Sequence, residues 1–170
     1  MFYVLNFGDH TFKSFDNECQ LYIFSKTLTE EDKDNMEVIN GFVDDVRYGV
    51  DEYLSTCDMQ TEVERWRDAA EALGWKVDET VQNDKVCIDF SRYSPAGEDF
   101  SFAVYPSNLR CPDVAYAIRD YGFDVEEHVA MWLDAKSRSY PGVPDVETLV
   151  DDAKAIRFMI DELEAAIRNA

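Results

Sequence analysis

The spacing of apolar residues changes several times along this chain, and each change predicts a different element. Met1–Phe7 is a short apolar run ending at Gly8-Asp9 and predicts a strand covered on both faces. Gln20–Lys26 (Gln-Leu-Tyr-Ile-Phe-Ser-Lys) predicts a second strand, able to pair with the first across the polar stretch between them. Thr29, a good N-cap followed by Glu30, Glu31 and Asp32, predicts the start of a long helix. Met36, Ile39, Phe42, Val43, Val46 and Val50 continue it at three- and four-residue spacing, with Glu37, Asp44, Asp45, Asp51 and Glu52 on the opposite face.

A second helix is predicted over about Met59–Leu73, with Val63, Trp66, Ala70 and Leu73 on one side and Gly74 as its stop. From Trp75 the period falls to two. Trp75–Val81, Lys85–Arg92 and the alternation Phe100, Phe102, Val104 predict a three-stranded antiparallel meander, turning at Gln82-Asn83-Asp84 and Ser94-Pro95-Ala96-Gly97. The last third is helical. Pro112 to Tyr121 is stopped by Gly122, a helix capped by Asp124 runs to about Ala135, and Asp145 caps a final helix carrying Leu149, Ala153, Ile156, Ile160, Leu163 and Ile167. The expected fold is α+β: a small antiparallel sheet, the meander plus the N-terminal strands, covered by about five helices. The expected domain is single, residues 1–170, with a subdivision near residue 80 into an acidic helical part and a part holding the meander and C-terminal helices.

Charge changes this picture from outside. The chain holds 36 Asp and Glu against 16 Lys and Arg, a formal net charge of −20. With 46% hydrophobic and 14% aromatic residues it has ample core material, so the acidity belongs to a folded surface and not to a disordered tail. Such a surface repels phosphate and attracts basic proteins. The tyrosines lack the accompanying basic residues that nucleic-acid binding needs, so direct nucleic-acid contact is not expected. The N-terminal run has no basic leader and no apolar run approaches a membrane span, which together predict a cytoplasmic protein.

Candidate chemistry is thin. Cys19, Cys57, Cys87 and Cys111 are widely spaced, with only His10 and His128 to join them, so neither a zinc site nor a disulfide framework is expected. His128 follows Glu126-Glu127, but Val125 occupies the position where a di-iron helix needs Glu. The pairs Glu30-Glu31, Asp44-Asp45, Glu126-Glu127 and Asp151-Asp152 point about 100° apart on a helix, so they do not share a proton as a catalytic dyad does. The expectation is no enzyme, no metal and no cofactor. An enzyme would need a deep pocket uniting His10 or a cysteine with carboxylates.

Phe123–Leu133, Gly142-Val143-Pro144, Leu149–Ala153 and Met159–Leu163 resemble a group of small acidic proteins of unknown function carried by conjugative elements and phages of gut bacteria. The resemblance covers roughly residues 85–168 and implies no activity. Mobile elements also carry acidic inhibitors of host defence, of the antirestriction and anti-CRISPR kind. The expected function is therefore a non-enzymatic inhibitor whose helix-borne carboxylates occupy the basic nucleic-acid groove of a restriction enzyme or CRISPR effector. Asp44, Asp45, Asp51 and Glu52 are the first candidates for the contact, then Glu30, Glu31, Asp151 and Asp152. The alternative is an accessory interaction module of a mobile element, whose acidity only keeps it soluble.

Overall fold

The computed structural model describes residues 2–6, 8, 10–40, 47–56, 59–82, 85–137 and 144–170. Among them the chain is α+β, with two antiparallel sheets and helices packed between and beside them. The first sheet has the order β2-β1-β3-β4: β1 Phe2–Asn6, β2 Thr11–Phe15, β3 Met36–Asn40 and β4 Arg47–Gly49. The second is the meander β5-β6-β7: β5 Lys76–Gln82, β6 Lys85–Tyr93 and β7 Asp99–Val104. The helices are α1 Glu18–Lys26, α2 Glu30–Asp34, α3 Val50–Thr56, α4 Met59–Ala72, α5 Cys111–Tyr121, α6 Val125–Ser137 and α7 Val146–Asn169.

Two expectations for the N-terminal third are overturned. Gln20–Lys26 is the body of α1, not a strand, and β1 pairs with β2 and β3 instead. Asn17 caps α1 by accepting from the Gln20 backbone N–H at 3.0 Å, with Glu18 in the first turn and Lys26 in the last. Caps and complementary end charges of this kind favour a helix over a short extended run. The long helix from Thr29 also does not form. Thr29 does start a helix, through a reciprocal capping box with Asp32, but α2 ends at Asp34. Met36 and Val38 then face the core while Glu37 and Ile39 are half-buried, a two-residue period that makes β3. β3 pairs with β4 in the register Val38 opposite Tyr48, and the chain turns helical again at Val50. Phe42, Val43 and Val46 lie outside the described residues.

From α4 onward structure and expectation agree. Gly74 takes a φ of 83° and Gly122 a φ of 64°, the left-handed conformation that ends α4 and α5 where an L side chain would be strained. Phe90 pairs with Phe102 across β6 and β7, and Trp75 meets Phe90, Phe100 and Phe102 edge-on at 5.7–6.4 Å. Asp124 caps α6 and Asp145 caps α7 through backbone N–H groups at 2.9 and 3.0 Å.

One apolar cluster joins the two sheets. It runs from Phe2 and Val4 through Leu21, Val38 and Tyr53 to Trp66, Trp75, Phe90 and Ile160. α1 touches both sheets, α4 packs on α1, α3, α5 and α7, and α7 packs on α4, α5 and α6. Trp66 is fully buried at the crossing point, and its indole N–H donates to the Leu109 carbonyl at 2.9 Å. A smaller cluster, Val129, Leu149 and Ala153, holds α6 to α7.

Candidate partner-binding surface

The predicted acidic residues do not form one row. On an unbroken helix rising 1.5 Å per residue, Glu30 and Asp51 would stand ~31 Å apart. With the helix divided, both reach one cation: Lys33 Nζ lies 3.2 Å from Glu30 Oε1 and 3.2 Å from Asp51 Oδ2. The hydrogen bond to Asp51, then that to Glu30, hold the Lys33 ammonium above its ordinary pKa. Glu30, Glu31 and Asp34 on α2 and Asp51 and Glu52 on α3 are all exposed around this bridge. Asp32 belongs to the cap: its carboxylate accepts from the Thr29 hydroxyl and backbone N–H, which lowers its pKa. The result is a compact carboxylate patch on two short helices, tied by a half-buried lysine. Asp44 and Asp45, the first candidates from the sequence, lie outside the described residues.

Asp151 and Asp152 separate in role. Asp151 is exposed on α7, with Lys154 Nζ 3.7 Å from its carboxylate. Asp152 is buried and does not belong to the acidic surface. It accepts from the Ser94 hydroxyl at 2.7 Å and from the Ala96 backbone N–H at 3.0 Å, fastening the β6–β7 turn to α7. The signal was in the sequence: Asp152 stands three residues after Leu149 and four before Ile156, on the apolar stripe of its helix.

The same turn carries a polar cluster that sequence reasoning missed. Glu98 Oε2 accepts from the Trp132 indole N–H at 3.2 Å and meets His128 Nε2 at 3.1 Å, pinning α6 to the turn. Glu98, Trp132, Leu149 and Asp152 line a small cavity of about 170 Å³ beside these contacts. A histidine next to a carboxylate is half of a nucleophile-activating arrangement. The nearby hydroxyl, Ser94, donates to Asp152 and thereby serves the turn. His10 sits exposed in the β1–β2 turn at a φ of 59°. Cys19, Cys87 and Cys111 are buried free thiols. Burial pushes Cys19 up to about 12, and burial together with Glu62 raises Cys111, the opposite of what activates a thiol. Cys57 lies outside the described residues. Among the described residues no group of three or more His, Cys, Asp or Glu is arranged to hold a metal ion, and no helix is long and apolar enough to cross a membrane.

Compared with known protein families, with curated proteins and with solved structures, the chain shows no match.

Proposed function

We propose that this is a non-catalytic inhibitor from a mobile element, which places its carboxylate patch in the basic nucleic-acid groove of a host defence protein of the restriction or CRISPR kind. The observation that carries this reading is the convergence of Glu30 and Asp51 on Lys33, with Glu31, Asp34 and Glu52 exposed around them. A groove lined with Lys and Arg accepts closely spaced carboxylates as it accepts phosphates, and both surfaces release screening ions on contact. The resemblance of residues 85–168 to acidic proteins of mobile elements points the same way. The patch is compact, so it would stand in for a few neighbouring phosphates and not for a long duplex.

Binding can be tested with the immobilised protein in bacterial lysate at low salt. The expected result is retention of a nucleic-acid-binding protein that ~0.5 M salt or added duplex releases. The quadruple variant Glu30→Lys, Glu31→Lys, Asp51→Lys, Glu52→Lys should lose it. Retention that survives the reversal, or that nucleic acid does not compete, overturns the reading. It would favour the second one, an accessory module of a mobile element that binds through exposed aromatic surface, for which Tyr105, Tyr116 and Tyr121 supply the observation.

A further inference from the structure

A groove of about 280 Å³ runs between the end of β7 and α5, away from the α2–α3 patch. Its helical wall is Asp113, Tyr116, Asp120 and Tyr121, residues three, seven and eight positions apart and so on one face of α5. Its other wall is the chain from Ala103 to Ser107, which contributes Tyr105. β7 is an edge strand, paired among the described residues only with β6, so this side of the sheet carries no further strand.

The composition of these walls is unusual for a protein that buries its aromatics well. Tyr105, Tyr116 and Tyr121 are 52%, 59% and 40% exposed, and they converge on one groove. Two of them are held in place from behind. The Tyr121 ring packs on Phe102 at 4.7 Å, and a hydrogen bond with the Cys87 thiol holds the Tyr105 hydroxyl above its ordinary pKa. Burial, then Glu127, raises Tyr121. Each ring presents an electron-rich face. Asp113 is oriented by the Ser107 hydroxyl at 3.1 Å, and Asp120 is exposed in the last turn of the helix.

Aromatic faces flanked by carboxylates select cations. Phosphate is repelled by Asp113 and Asp120, and an aliphatic side chain would leave both carboxylates unused. Among cations a guanidinium fits best, because it is planar, stacks on a ring and offers paired N–H donors to a carboxylate, whereas an ammonium does only the last and from a point. The chain supplies its own example: the Arg119 guanidinium lies 5.0 Å from the Tyr116 ring centroid.

We propose that this groove binds an arginine side chain presented by a protein partner, the guanidinium plane against the tyrosine rings and its N–H groups toward Asp113 and Asp120. The site shares no residue with the α2–α3 patch and stands whether or not that patch imitates nucleic acid.

The test is an NMR titration of the isotope-labelled protein with a blocked Gly-Gly-Arg-Gly-Gly peptide. Two ligands run beside it: the citrulline peptide, a neutral isostere, and spermidine, a cation without a guanidinium. Saturable shifts confined to 103–107 and 113–121 are expected, with citrulline and spermidine each about tenfold weaker. Tyr116→Ala and Asp120→Asn, both at exposed positions, should each weaken the arginine peptide about tenfold, while Glu30→Lys with Asp51→Lys leaves it unchanged. Equal binding of the citrulline peptide or of spermidine overturns the proposal. So do shifts spread over α2 and α3, or indifference to both groove variants.

Discussion

Adjacent aspartates with the same chemistry can serve opposite ends, and Asp151 and Asp152 do so. Asp152 is buried with two donors on its carboxylate, Ser94 and Ala96, while Asp151 faces solvent. Removing one partner of a buried hydrogen-bonded pair leaves the others desolvated and unsatisfied. Asp152→Ala should therefore cost about 1–3 kcal/mol, and Asp151→Ala should stay within about 0.5 kcal/mol of the parent. Urea unfolding followed by tryptophan fluorescence distinguishes them, and equal losses would return Asp152 to the surface. Lys33 makes the complementary point. Its bond to Asp51 spans 18 residues of sequence. Local spacing therefore shows the two acids but not their meeting, which depends on how the chain folds back between them.

Caps and periods decided which elements were legible. Gly74, Pro112, Gly122, Asp124 and Asp145 sit at element ends in a sequence that says so, and the meander follows from the apolar residues at every second position, Val86, Ile88 and Phe90 in β6 and Phe100, Phe102 and Val104 in β7. The failures came where two periods overlap. Met36 and Ile39 fit a helix, Met36 and Val38 fit a strand, and the Asn40-Gly41 dipeptide, a turn signal, should have favoured the strand. α1 was hidden by its dense apolar run, because it is buried on much of its surface: Leu21, Tyr22 and Ile23 are all buried. The Asn17 cap was the clue to a helix there. The cap on α7 is testable. Its backbone and hydroxyl bonds with Thr148 lower the Asp145 pKa, so the folded state prefers the ionised cap. That contribution is complete above the unfolded value of about 3.9 and is lost as pH falls through the lower folded value. Asp145→Ala should lower the melting temperature by roughly 3 °C at pH 7. The gap to the parent should narrow as pH falls below the unfolded value, whereas Asp145→Asn should keep most of the cap throughout. A gap that persists at low pH would show that the carboxylate charge is not what matters.

At the scale of the whole molecule, a net charge of −20 presses outward on one compact core. Salt shortens the reach of that repulsion, to ~10 Å at 0.1 M and ~3 Å at 1 M. The melting temperature should therefore rise by several degrees between ~10 mM and ~0.3 M sodium chloride before levelling, and scanning calorimetry at fixed pH would show it. A fall over that range would mean that bridges such as Lys33–Asp51 and Arg157–Asp161 outweigh the like-charge repulsion. The apolar cluster has a different consequence, one that concerns dividing the chain. Trp66 from the first half closes on Leu109 of the second, and Trp75 on Phe90 and Phe102. A gene fragment ending near residue 80 would encode exposed tryptophans and an unpaired β5, with no partner surface to cover them. The two halves should therefore fold together or not at all, and a fragment ending there should be recovered only as aggregated or degraded protein.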